Sequence, residues 1–262
     1  MPSHHEIVDG VIQLPWASMS TFLVEMQFKG TPLSRGTCLT VSHGGHWFLV
    51  TNRHNVTGRN QYTNRCLHKF GGVPDQLAVL LPTLDLGNEW WVHGVALYDA
   101  AGQPTWSEHP LFGAEIDVVA LPFEKPPQAR CFGIHLTEHN DFALEVGDAV
   151  NCIGYRKGEP MFSAFPQWID CRLETPLNDS WQGKPAFLIR GPTAEGSSGS
   201  PVIAYRDNAE ELRRSDGTLV GSNWATRLLG LYSGRTPDGA GLVWNLACIR
   251  DVVEHAAQKL ES

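Results

Sequence analysis

Short apolar runs rich in Val, Leu, Phe, Thr and Trp alternate with turns of Gly, Pro, Asn and Asp along the whole chain. That rhythm predicts antiparallel β-structure rather than alternating strands and helices. Residues 21–26, 37–41 and 47–50 read as strands, with Ser42–His46 as the hairpin turn between the last two. Residues 77–81 and 90–92 supply further strands, and the run Glu115–Pro122 supplies the last of this first group. Glu124-Lys125-Pro126-Pro127-Gln128 then opens a connecting segment that runs to about Leu144, which divides the chain into lobes of residues 1–125 and 126–262. The second group of strands spans Gly147 to about Leu246, interrupted by a charged, turn-rich stretch from Ala204 to Gly221 that reads as a solvated loop. Ile249, Val252, Val253 and Ala256 recur at helical spacing, so residues 247–260 are expected to form a helix packed on the second lobe.

Within this β pattern, the run Glu195-Gly196-Ser197-Ser198-Gly199-Ser200-Pro201-Val202 sets a hydroxyl in a turn of glycines and small residues just before an apolar strand. Ser198 there can expose its Oγ while its own N–H and that of Gly196 point to one spot, as an oxyanion needs. By itself such a run is more often an ordinary turn. His54 closes the strand-like run Trp47–Thr51 followed by Asn52 and Arg53, where an imidazole is rigidly held yet reaches a cleft. Asp117 lies among Ile116, Val118, Val119 and Leu121, and a carboxylate so flanked is costly to bury without hydrogen bonds. An imidazole Nδ1–H is a natural partner for it, leaving Nε2 to take the serine proton. Each residue has a plainer reading: one of eleven histidines, a turn-capping aspartate, a loop serine. The order His, Asp, Ser, with gaps of 63 and 81 residues, favours the joint one.

On these motifs the chain resembles the trypsin-like (chymotrypsin-fold) serine peptidases, especially their bacterial branch. Leu49–His54, Ile116–Leu121 and Gly196–Pro201 resemble the segments that carry the family's histidine, aspartate and serine. Val146–Val150 leading to Ile153-Gly154-Tyr155 is similar to the opening of its second barrel, and Gly230–Gly234 to the strand that pairs with substrate backbone. The resemblance implies an all-β fold of two six-stranded antiparallel barrels with a C-terminal helix. It implies a serine endopeptidase with His54, Asp117 and Ser198 as catalytic residues, Gly196 and Ser198 as the oxyanion hole, and no cofactor or metal. Ser233 is expected to hydrogen-bond Asp117, and the Ser233-Gly234-Arg235 backbone to pair with a peptide substrate. Pro192, Thr193 and Ala194 on one side and Gly241 to Val243 on the other are expected to wall the first acyl-side subsite. With no carboxylate at Pro192 for a basic side chain, that subsite is expected to take a small or apolar residue. Ser197 stands where digestive members carry the aspartate that pairs with a new N-terminus, so the oxyanion turn must be held another way. Ser200 replaces a frequent glycine, which is harmless where φ is negative.

Composition narrows the partners. A net charge of −8 and a pI near 5.7, without a basic run, disfavour binding to nucleic acid. The six cysteines form no Cys-x-x-Cys pair and read as reduced buried thiols, with Cys152 and Cys171 as possible strand neighbours. His43 and His46 lack a third metal ligand nearby and read as a solvent-facing turn. Neither a secretory leader nor a membrane-length apolar stretch is legible, which gives a cytoplasmic, membrane-free expectation, although a trimmed mature form of a secreted protein would read the same way. Two alternatives stay open: a latent or degenerate member acting as a peptide-binding module or activated by a partner protein, and an α/β-hydrolase. The latter needs Gly-x-Ser-x-Gly and a histidine last in order, and Ser200 breaks the first while His54 breaks the second.

Overall fold

The computed structural model describes residues 6–8, 11–13, 16–84, 89–136, 141–157, 165–207, 209–214, 216–221 and 224–261. The chain opens with a small hairpin of β1 (Glu6–Val8) and β2 (Val11–Gln13), followed by a helical turn α1 (Trp16–Met19). The first lobe then builds one sheet from β3 (Thr21–Phe28), β4 (Thr31–His43), β5 (His46–Thr51), β6 (Gln76–Pro82), β7 (Trp90–Ala96) and β8 (Val119–Pro122), with the short helix α2 (Arg53–Thr57) after β5. The path runs β7-β6-β3-β4-β5-β8, and β9 (Ile134–His135) adds to β4 in parallel. The connecting segment therefore contributes a strand to the first lobe instead of merely spanning between lobes; residues 137–140 of it lie outside the described residues.

The second lobe is a closed barrel of β10 (Ala149–Gly154), β11 (Gln167–Leu173), β12 (Ala186–Arg190), β13 (Pro201–Asp207), β14 (Trp224–Arg235) and β15 (Gly241–Asn245), in the order β10-β11-β12-β15-β14-β13. The fold is thus mostly β, chymotrypsin-like, with a C-terminal helix α3 (Leu246–Glu261). The ladders of the first lobe form a seven-stranded sheet, whose ends isolated bridges bring together. Its two outer strands are joined through single pairings: Thr105 N–H donates to the Leu97 carbonyl after β7, and Ser107 exchanges two backbone hydrogen bonds with Ala120 on β8 (2.8 and 3.1 Å). The segment closes the gap with isolated bridges in place of a strand.

Period-two alternation accounts for the half-buried strands. In β11, Ile169, Cys171 and Leu173 face inward while Asp170 and Arg172 face out. Longer runs of burial in β4 and β5 arise because these strands are covered on both faces. Phe22, Leu49, Leu77, Val79 and Leu121 fill the first lobe, and Val150, Cys152, Ile169, Phe187, Val202 and Val243 fill the second. A third cluster joins them: Val41, Val50 and Ala120 of the first lobe meet Ile153, Leu231 and Trp244 of the second, with Ile249, Val252, Val253 and Ala256 of α3 against both. The helix is therefore shared by the two lobes, where packing on the second alone was expected. Burying each such aliphatic side chain is worth about 1.5–3 kcal/mol, so this shared face fixes how the lobes meet.

The stretch between β13 and β14 is likewise less solvated than its charge predicts. Ala209 and Val220 are buried and belong to the second core, and Arg213 bridges Leu219.

Candidate active site

His54 sits in the first turn of α2 rather than at the end of β5. The short helix closes on Gly58 in the left-handed region (φ 62°), whose N–H donates to the His54 carbonyl at 2.9 Å. Asn52 occupies the helix cap, yet its side-chain amide is turned to the Asp117 carbonyl (2.7 Å). One residue thus ties the histidine turn to the aspartate segment.

Asp117 lies just before β8 and is 1% exposed. Its carboxylate accepts three hydrogen bonds: the His54 backbone N–H on Oδ1 (2.8 Å), and on Oδ2 both His54 Nδ1 (2.7 Å) and Ser233 Oγ (2.6 Å). Three donors converging on one buried carboxylate hold it in place, and its bond to the imidazole fixes the tautomer with Nδ1 as the donor. Ser233 Oγ also lies 3.0 Å from Gln61 Oε1. A hydroxyl has one proton, and the shorter bond, to the Asp117 carboxylate, takes it. Gln61 then serves Ser233 through its amide N–H once the side-chain amide is turned.

Ser198 and His54 line the same groove with Gly196. Among the described residues, the Ser198 hydroxyl donates to the Ser233 carbonyl (2.9 Å) and not to His54. The imidazole–carboxylate pair is therefore assembled, while the serine hydroxyl is turned to a neighbouring backbone acceptor.

The turn around Ser198 is braced from three sides. Thr37 Oγ1 donates to the Gly196 carbonyl (2.9 Å) and accepts from the Tyr155 N–H (3.2 Å), and the Thr37 N–H donates to the Ser198 carbonyl (2.8 Å). The Lys157 N–H holds the Glu195 carbonyl at 2.7 Å. Because a trans peptide points its C=O and N–H in opposite directions, this last bond aims the Gly196 N–H away from Lys157. Ser197, fully buried, donates its N–H to the Ala194 carbonyl (3.1 Å). The N–H groups of Gly196 and Ser198 make no protein hydrogen bond among the described residues, so both remain free for an anion. Gly196 is at φ 94°, and a Cβ there would fall 2.7 Å from the Tyr155 carbonyl oxygen. Ser200 is not among the positive-φ residues.

The residues expected around the first acyl-side subsite are also adjacent. Thr193 Oγ1 is 2.8 Å from the Tyr232 hydroxyl, and a Cβ on Gly241 would lie 2.8 Å from Tyr232 Cε2. The Tyr232 ring thus stands between the two expected walls, its hydroxyl pushed up to about 12 by burial. Pro192 is exposed at the rim. The Arg235 guanidinium closes over the edge, donating to the carbonyls of Gly191 (3.1 Å), Thr193 (2.7 Å) and Gly239 (2.9 Å). Gly234 and Arg235 pair with Leu242 and Gly241 on one side of β14.

Thr37, Gln61, Lys157 and Tyr232 are the site residues that sequence reasoning missed. Among the described residues no group of three or more potential metal ligands exists, and no helix is long and apolar enough to cross a membrane. All six cysteines are free, and all but Cys66 are buried.

These features define the fold of a trypsin-like serine peptidase. The chain is similar to the serine endoprotease of Yersinia pestis, at 13% identity over 93% of this chain with a TM-score of 0.52. It spans 64% of the length of that protein. The Rv3671c protease of M. tuberculosis, in its inactive form, also aligns, at 18% identity over 92% of this chain and 89% of that one, with a TM-score of 0.43. No protein-family model and no curated protein matches the sequence.

Proposed function

We propose that the protein is a serine endopeptidase that cuts peptide bonds through an acyl-enzyme on Ser198. The observation that carries this reading is the convergence of a buried Asp117, a His54 held by it at 2.7 Å, and Ser198 beside two backbone donors without a protein acceptor among the described residues. Ser198 Oγ swings from the Ser233 carbonyl to His54 Nε2 and attacks the substrate carbonyl carbon as the imidazole takes its proton. Asp117 stabilises the imidazolium, and the Gly196 and Ser198 N–H groups receive the oxyanion, a contribution of order 10²–10³ in rate per donor. His54 then gives its proton to the leaving amine, and water releases the acyl group by the same steps. The substrate's acyl half lies along Ser233-Gly234-Arg235 as an added strand.

The Tyr232 ring between Thr193 and Gly241 supports a small residue in the first acyl-side subsite. Substrates are flexible protein segments or peptides. The hydroxyl's bond to Ser233 supports a second reading, a resting enzyme whose serine is released when a substrate N–H or an activating partner displaces it. The test is incubation of the purified chain with an unfolded protein, with product peptides sequenced. Cuts after small residues that vanish in Ser198→Ala are expected. Equal cutting by Ser198→Ala overturns the assignment.

A further inference from the structure

A cavity of about 850 Å³ opens beside Ser198 and His54 on the face formed by β3, β4 and the loop after α2. None of Ser233, Gly234 or Arg235 lines it, so it lies on the far side of Ser198 from the strand edge assigned to the acyl half. An extended substrate whose acyl half follows β14 must carry its leaving half into this groove.

The near part of the groove is apolar. Leu67 is tied beside the histidine helix by its N–H bond to the Gly58 carbonyl (2.8 Å), and Pro74 abuts Gly58. Leu33 packs at Gly72 next to His68, so apolar side chains continue along the groove wall. Leu67 is 52% exposed and so offers apolar surface to an occupant of the groove.

The charges in the groove do not balance. Arg35 pairs with Glu25 (3.1 Å), and Lys157 with Glu195 (2.6 Å). Lys69, two residues beyond Leu67, lines the same groove and faces the Phe70 ring at 4.8 Å, with no carboxylate partner among the described residues. A surplus cation in the groove of a chain whose net charge is −8 attracts an acidic group. His68 adds to this, since its Nδ1 accepts from the Gly72 N–H (3.3 Å) and leaves Nε2 as a donor.

We propose that this groove selects the leaving-group half of the substrate, taking one or more apolar side chains followed by an acidic one at Lys69. Selectivity then resides mainly after the cut, because Tyr232 leaves the acyl side room for little more than a small side chain. The inference rests on the peptidase reading above, and its test separates the two.

Two quenched peptides identical up to the cut carry Leu-Leu-Glu-Glu or Leu-Leu-Lys-Lys after it. The expected result is kcat/KM at least tenfold higher for the acidic peptide, with the ratio inverted in Lys69→Glu. Binding of the two detached leaving-half peptides to Ser198→Ala, read by fluorescence anisotropy, is expected to show the same order and the same inversion. Equal handling of the two peptides in both assays, or a ratio unmoved by Lys69→Glu, overturns the groove assignment. Ordered binding without any hydrolysis overturns the peptidase reading and leaves the groove standing.

Discussion

Replacing Thr37 with valine removes one oxygen and keeps the shape. That oxygen donates to the Gly196 carbonyl at 2.9 Å and accepts the Tyr155 N–H at 3.2 Å, and Thr37 is fully buried. Valine deletes the hydrogen bond that each of these two backbone groups makes to the hydroxyl, each loss costing about 1–3 kcal/mol. The bond at the Gly196 carbonyl is buried while the one at the Tyr155 N–H is only partly so, which puts the combined loss at about 2–4 kcal/mol. At roughly 2–4 °C per kcal/mol for a chain of this size, Tm is expected to fall by about 4–16 °C. The Lys157 N–H still holds the other end of the turn at Glu195, so the Gly196 donor is loosened and not lost. Reaction of Ser198 with a fluorophosphonate, followed well below the lowered Tm, is then expected to slow about 10- to 100-fold, less than loss of a whole oxyanion donor. Thr37→Ser, which keeps the hydroxyl, is expected to restore most of the reactivity. Unchanged Tm and unchanged reactivity in Thr37→Val would refute the bracing argument.

Three further outcomes follow from the geometry. Asp117→Asn keeps the shape of the site but offers the imidazole Nδ1 an N–H₂ in place of an acceptor, so turnover is expected to drop about 10⁴-fold with little change in KM; a drop under tenfold contradicts the assigned role. His109 is 3% exposed, with Nδ1 accepting the Leu111 and Phe112 N–H groups (3.2 and 3.3 Å) and Nε2 3.2 Å from Asp251, and burial lowers its pKa. A folded pKa below the unfolded one means the unfolded chain binds more protons, so stability is full above about pH 6.5 and falls as pH drops from there through the folded value; urea midpoints between pH 7.5 and 5 are expected to show this fall, reduced in His109→Gln. Burial pushes the Cys131 and Cys171 thiols up to about 11, so iodoacetamide at pH 8 is expected to modify Cys66 first and the five buried cysteines only after unfolding, as read by mass mapping.

What the sequence made legible was local. The glycine-serine turn at 195–200, the apolar runs ending in His54 and surrounding Asp117, and the helical spacing from Ile249 to Ala256 each carry their signal in adjacent residues. What stayed hidden depends on contacts between distant segments. Thr37 reads as an ordinary β-branched strand residue, and only the fold brings its hydroxyl to Gly196, 159 positions away. Gln61 sits in a loop without periodicity, 172 positions from Ser233. Tyr232 looks like any core aromatic until Thr193 and Gly241 are placed on either side of it. The Ser107–Ala120 bridge that closes the first lobe is a single residue pair and leaves no alternation to read. The face of α3 was visible, but which lobe it covers was not, because apolar spacing defines a stripe and says nothing about its partner.

The central claim is that Ser198 is an activated nucleophile, and adduct mapping tests it most directly. The purified chain is treated with a fluorophosphonate, digested, and sequenced by mass spectrometry. A single adduct on Ser198, formed by the native protein and abolished in His54→Ala, is the expected result. An unreactive native chain, or a Ser198 adduct that forms equally fast without His54, would contradict it.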